Sequence, residues 1–233
     1  MIPIRDTIPS RSFPIVNTIL IIVNIVVFFY ELSLGSRLPY FINHYGLVPA
    51  SFTVPEHADF RIYPLFTFMF LHSGWLHIIG NMLYLYIFGD NVEDRIGHLK
   101  YLFFYLITGL ISAFSQALAN LHSTIPMIGA SGAIAGVLGA YILYFPRSKV
   151  LTLVPIFFFI QIVEIPAVAF LLFWFVIQFF SGVASLTVTQ SDGGIAFWAH
   201  TGGFIAGLIL AKPFEKKGYS YESNRFGSIF RRH

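Results

Sequence analysis

The chain has 233 residues, of which 56% are hydrophobic and only 11% charged, with a formal net charge of +3 and no cysteine. A soluble domain is about a quarter charged, so the composition argues against a water-soluble enzyme and for lipid as the solvent. The lack of cysteine excludes disulfides, thiolate catalysis and cysteine-bound metals.

A helix needs about 20 apolar residues to cross ~30 Å of hydrocarbon. The first such run, residues 13–34, is long enough to span and lacks a small-residue cleavage site, so it is expected to be a retained span over about 14–34 rather than a signal peptide. Residues 1–12 precede it. Residues 35–62 mix polar and aromatic side chains, among them Tyr40, His44 and Tyr45, and are expected to lie at the membrane interface. The second span is predicted over about 65–88, followed by a short charged loop, "GDNVEDRIGHLK". The third covers about 101–119. The uncharged link "NLHSTIPMIG" leads into the fourth, about 131–145. The stretch "VLTLVPIFFFIQIVEIP" is apolar but broken by Pro155, Glu164 and Pro166. It is expected to be an interfacial or re-entrant connector, with a short span as the alternative. The fifth span follows over about 167–188 and the sixth over about 195–211, before a basic tail, 212–233. The expected fold class is an all-α polytopic membrane protein. One membrane domain, 13–211, holds six transmembrane helices and an interfacial first loop.

Lys and Arg placement tests that count. With six spans and a cytoplasmic N-terminus, twelve basic residues fall inside: Arg5, Arg11, Arg95, Lys100, Arg147, Lys149, Lys212, Lys216, Lys217, Arg225, Arg231 and Arg232. Only Arg37 and Arg61 fall outside. This is the asymmetry that the positive-inside rule demands. A seventh span would put the basic tail outside. A multi-pass protein of the plasma (inner) membrane, with both termini cytoplasmic, is therefore expected.

Three polar groups then stand out. Ser131 opens the fourth span within "MIGASGAIAGVLGAY". Taken alone, a Gly/Ala face with one serine reads as helix packing, because small residues let helix backbones approach in lipid. His200 lies in "AHTGGFIAG" with Gly203 and Gly207 at three- and four-residue spacing, on one helix face. An ionisable side chain inside a span is costly and usually functional, although a lone histidine also serves as a neutral hydrogen bonder between helices. If the two small-residue faces meet, His200 lies beside Ser131 at similar depth. A serine hydroxyl is a poor nucleophile until a base takes its proton, and histidine is the usual base. In "LHSGWLHIIGNMLYL", His77 and Asn81 share a face at i, i+4. They are suitable donors, with the Ser131 backbone N–H, for a tetrahedral oxyanion; the duller reading is a helix tether. His72 is off that face and is expected to tie down the outer loop. No Asp or Glu is expected in an outer half-span where it could orient His200, which leaves a Ser–His dyad rather than a triad. "GASG" is not the nucleophile elbow of soluble hydrolases, since Ala133 stands two residues after the serine and no strand precedes it.

"HSGWLHIIGN", "GASG" and "AHTGGFIAG", in this order and spacing, resemble the rhomboid family of intramembrane serine proteases. The resemblance implies Ser131 as nucleophile, His200 as its base, and His77 and Asn81 as the oxyanion hole. Gly129, Gly132, Gly203 and Gly207 belong to its structural motifs. "GDNVEDRIG" is similar to the family segment that makes Glu93 a structural anchor, and the long first loop would be a lipid-embedded helical hairpin. Two departures are visible: "RIYPLFTF" stands where many members carry Trp-Arg, and Ala135 stands where some place a Tyr against the histidine. His200 is then expected to be oriented by packing against the glycines. The implied function is a serine endopeptidase that cuts transmembrane segments of single-pass proteins near the outer membrane face. It would work in the lipid bilayer with no metal, cofactor or nucleic acid. The alternative is a catalytically silent rhomboid-like helix-binding protein, or a small transporter or channel.

Overall fold

In a computed structural model, residues 1–52, 61–156, 159–185 and 196–216 are described. Strand β1 (Ile2–Asp6) leads into helix α1 (Ile15–Ser33). The opening turn of α1 is set by a side chain from another helix. The N–H groups of Val16 and Asn17, which have no partner within a first turn, donate to the Glu93 carboxylate at 2.9 and 2.7 Å. The first loop holds α2 (Leu38–Tyr45), a 3₁₀ turn at Pro49–Phe52 and the four-residue α3 (Pro64–Thr67). Short helical pieces thus make up the first loop; part of it, 53–60, lies outside the described residues.

Helix α4 (Trp75–Ile96) is followed by α5 (His98–Ala119), with only Gly97 between them at φ +95°. The charged stretch expected to be a loop is therefore mostly helix. Its polar side chains are held at the end of α4: Ser12 donates to Asp94 at 2.6 Å, Lys216 donates to the Asp94 carbonyl at 2.9 Å, and Glu93 is fully buried. Charge marks the edge of the hydrocarbon here, not the end of the helix. The second predicted span also starts late, because residues 68–74 form a 3₁₀ turn and a loop before Trp75.

Helix α6 (Ser131–Tyr144) is buried on every side from Gly132 to Tyr141, as an all-round apolar helix must be. It packs against α4, α5, and the two later helices α7 (Ala167–Ser185) and α8 (Phe197–Phe214). Helices α1, α5 and α7 are long and apolar enough to cross a membrane; α6 is a shorter apolar helix. At 14 residues it covers only about 21 Å, less than the hydrocarbon thickness, which keeps one of its ends below a membrane surface. The outward sides of α1 and α7 are apolar and exposed, for instance Ile22, Val26 and Phe29, and Phe173, Val176 and Phe180. Such surface suits lipid and not water.

The connector after α6 is neither a span nor a re-entrant helix, and it corrects the all-α expectation. Strands β2 (Lys149–Ile156) and β3 (Phe159–Pro166) form an antiparallel hairpin, and β1 pairs with β2 to give a three-stranded sheet in the order β1-β2-β3. Val150, Leu153, Ile160, Ile162 and Val163 favour strand. Pro166 ends it, and α7 begins at the next residue. The run is apolar on both faces and carries two prolines, so it lacks the alternation by which a strand reads in sequence, and the third strand, β1, is remote in sequence.

Candidate active site

The site is assembled where α6 and α8 begin. Three glycine contacts bring these helices backbone to backbone. A Cβ on Gly203 would stand 2.1 Å from the Gly132 carbonyl oxygen, one on Gly207 1.9 Å from that of Gly136, and one on Gly139 2.2 Å from that of Phe204. Any side chain at these positions would push the helices apart. The start of α8 is also capped from α5: the Gln116 side-chain oxygen accepts from the N–H groups of Trp198 and Ala199 at 3.1 and 3.2 Å.

With the faces closed, His200 Nε2 lies 2.7 Å from Ser131 Oγ. His200 is 9% exposed. Its other nitrogen, Nδ1, is 2.6 Å from the Gln178 side-chain oxygen on α7. The Trp174 ring, one turn earlier on α7, lies 5.7 Å from the imidazole, tilted by 38°. The expectation that the glycines alone orient His200 is corrected by these two side chains. The sequence signal for them was a lone amide, Gln178, within the otherwise apolar "AVAFLLFWFVIQFF", on the same helix stripe as the buried Leu171.

The segment before Ser131 is fixed by backbone bonds. Leu47 and Met127 exchange two of them, and the Gly129 N–H donates to Phe68 O at 2.8 Å. Gly129 has φ +123°, and a Cβ there would lie 2.7 Å from His77 Nε2. Glycine is thus required both by conformation and by the histidine ring that lies against it. His77 therefore borders the turn into Ser131. Its Nδ1 receives the Ser73 backbone N–H at 3.4 Å and lies 3.1 Å from Ser73 Oγ. An N–H can only donate, so Nδ1 is the acceptor and the ring proton sits on Nε2, at Gly129.

The Asn81 amide donates one N–H to His72 Nε2 at 3.0 Å, and an amide has a second N–H to offer. The His72 ring lies 5.0 Å from that of His77. The His72 backbone N–H lies 3.2 Å from the carboxylate of Glu31, which is 1% exposed. Glu31 sits near the C-terminal end of α1, a carboxylate in the first apolar run that the sequence reading did not single out. Its contact is to the His72 backbone, and the partners of His200 are Ser131 and Gln178. Glu93 lies at the far end of α4, where it joins α1, α4 and His98.

A serine and a histidine thus stand in hydrogen-bond contact at the abutting starts of two glycine-packed helices, in a membrane protein whose other helices include three long and apolar enough to span. The model of the Rhomboid domain matches residues 59–216, and the chain belongs to the rhomboid family. It is 30% identical over 181 residues to RHOMBOID-like protein 1 of Arabidopsis thaliana, covering 77% of this chain and 41% of that protein. It is 30% identical over 156 residues to Rhomboid protein 1, mitochondrial, of Saccharomyces cerevisiae, covering 64% and 42%. It is 30% identical over 139 residues to Rhomboid protease AarA of Providencia stuartii, covering 54% and 49%. The chain spans less than half the length of each of these relatives.

Proposed function

We propose that the protein is an intramembrane serine endopeptidase that cleaves transmembrane segments of single-pass proteins. The observation that carries this reading is the 2.7 Å contact between His200 Nε2 and Ser131 Oγ. In this mechanism His200 takes the serine proton as Oγ attacks the scissile carbonyl, then passes it to the leaving amine; water releases the acyl group by the same route. The oxyanion is held by the Ser131 backbone N–H, by the Nε2–H of His77 and by the second amide hydrogen of Asn81. The first N–H groups of a helix lack intrahelical partners and carry its positive end, so Ser131 at the start of α6 suits developing negative charge. Gly129, Gly132, Gly203 and Gly207 allow the close approach, and Glu93 anchors the opposite end.

Six spans, α1 and α4 to α8, carry the site in the plasma membrane with both termini cytoplasmic. The twelve-to-two Lys/Arg asymmetry supports this orientation, which puts Ser131 toward the outer face. A helical substrate hides its carbonyls in hydrogen bonds, so segments that unwind at Gly or Pro are the preferred class. The relative named a rhomboid protease supports the reaction type.

The test is a serine-directed fluorophosphonate probe with the purified chain. Wild type should label and cut a transmembrane reporter, and Ser131→Ala should do neither while unfolding at nearly the same temperature. Cleavage by purified Ser131→Ala would refute the dyad. A wild type that neither labels nor cuts would favour a silent helix-binding rhomboid.

A further inference from the structure

We propose that Gln178 is the positioning residue of the Ser131–His200 pair, its side-chain carbonyl accepting the Nδ1–H of His200 and thereby fixing the tautomer whose bare Nε2 faces the serine. This rests on the reading of Ser131 as nucleophile and His200 as base, and it supplies the orienting group that a dyad otherwise lacks.

A neutral imidazole carries one proton on either of its nitrogens. To accept the Ser131 proton, Nε2 must be bare, so the ring proton has to sit on Nδ1. For a histidine as buried as His200, an Nδ1–H without an acceptor is costly, and the opposite tautomer, in which Nε2 donates to the serine, would then be favoured. Gln178 Oε1, at 2.6 Å from Nδ1, removes that preference. An amide oxygen only accepts, which suits the tautomer that catalysis needs.

The arrangement also serves the charged state. As Ser131 Oγ bonds to the scissile carbon, its proton moves to Nε2. The Nδ1–H stays where it is, still donating to Gln178, and the Nε2 proton then goes to the leaving amine as the C–N bond breaks. A buried carboxylate in this position would need compensation through the whole resting cycle; a neutral amide does not. Trp174 and Gln178 are spaced i, i+4, so one face of α7 presents both a ring that covers the imidazole and the acceptor that sets its proton. The neighbours of α7 on the lipid side, Phe173, Val176 and Ile177, are exposed and apolar. Against that background an amide is out of place unless it serves the site. The titratable side chain facing His200 from another helix is His77 on α4, whose Nδ1 is occupied by Ser73. It does not compete for Gln178.

Full-length protein reconstituted with a transmembrane reporter substrate tests this with Gln178→Leu and Gln178→Glu. Leu keeps the volume and removes the acceptor; Glu keeps the acceptor. In Gln178→Leu, kcat should fall roughly 10- to 100-fold, less than a general base itself is worth, with KM within about twofold of wild type and an unchanged unfolding temperature. The rate of fluorophosphonate labelling at Ser131 should fall in parallel. Gln178→Glu should recover most of kcat and move the acidic limb of its pH profile upward by roughly one unit, because a carboxylate favours the imidazolium. Wild-type kcat in Gln178→Leu overturns the proposal. So does equal loss in both variants with a lowered unfolding temperature, which would make Gln178 a packing residue. If Ser131→Ala is inactive while Gln178→Leu is fully active, the positioning role alone falls; if Ser131→Ala is active, the dyad itself falls.

Discussion

Gly203 of α8 lies so close to Gly132 of α6 that a Cβ on Gly203 would stand 2.1 Å from the Gly132 carbonyl oxygen. The contact is one turn from His200 and one residue from Ser131, so the distance between the two helix backbones sets the distance between the base and the serine. Overpacking typically costs about 1–3 kcal/mol, and a misplacement of ~1 Å can cost about a hundredfold in rate. Gly203→Val should therefore lose most activity although it touches neither reacting atom, and its thermal stability should fall as well. Gly203→Ala should lie between it and wild type. Phe204→Leu, one residue further round the helix, should be mild. Wild-type cleavage by Gly203→Val in a reporter assay would mean that the pairing of His200 with Ser131 does not depend on this contact.

Asn81 gives one amide hydrogen to His72 and keeps the other for the proposed oxyanion. Asn81→Ala should lower kcat by ~10²–10³ with KM little changed, the usual effect of losing one oxyanion donor. His72→Ala should produce a smaller loss of the same kind, because it removes the acceptor that aims the Asn81 amide. Kinetics that show a raised KM with unchanged kcat would make Asn81 a substrate contact or a helix tether.

The parts of this architecture that were legible in the sequence are those written in local spacing. Gly203 and Gly207 lie three and seven residues after His200, and Gly136 and Gly139 five and eight after Ser131, so the two faces and the juxtaposition could be foreseen. Gln178 could not be placed the same way: it belongs to a different helix, and its role depends on how α7 packs on α8. The lone amide in an apolar run was the available signal. Glu31 was hidden by its position near the end of the first apolar run, where a carboxylate reads as the edge of the span. The hairpin at Lys149–Pro166 eluded the reading because its apolar run is broken by Pro155 and Pro166 and does not alternate, and its third strand lies about 150 residues earlier, Ile2 opposite Leu153. Long-range pairing leaves little trace in an apolar stretch that is not strictly alternating.

Glu93 carries a stability prediction. It is fully buried and accepts from Val16 N, Asn17 N and the His98 ring, so one carboxylate ties α1 to the α4–α5 junction. Hydrogen bonds to a charged group are worth about 1.5–3 kcal/mol each, and their loss leaves buried donors unmade. Glu93→Ala should lower the unfolding free energy by about 2–4 kcal/mol, and Glu93→Gln by less because its oxygen still accepts. The site lies sixteen residues away along α4 from His77, roughly 24 Å, so the folded fraction of either variant should keep its kcat. A normal unfolding transition in Glu93→Ala, followed in detergent by intrinsic fluorescence, would show that α1 is held by packing alone.

The N-terminal strand makes stability depend on pH. Asp6, at the end of β1, accepts from the Asn91 amide at 2.9 Å and from the Tyr141 hydroxyl. Burial pushes its carboxyl up to about 7, with the nearby Asp90 carboxylate adding to the rise and the Tyr141 hydrogen bond opposing it. In the unfolded chain the group titrates near 3.8. Between these two values the folded state holds a proton that the unfolded state has released. The stabilising contribution is therefore complete below about pH 4 and is lost as pH rises through about 7. Other carboxylates add their own slopes, so the measurement is a difference: the unfolding temperature of wild type and of Asp6→Asn, followed from pH 5 to 8. Asn keeps an acceptor for the Tyr141 hydroxyl and cannot ionise. Wild type should lose stability relative to Asp6→Asn across this range, with the gap changing most steeply at about pH 5–6 and levelling off above about pH 7. Parallel curves for the two proteins would mean that Asp6 ionises in the fold as readily as it does in water.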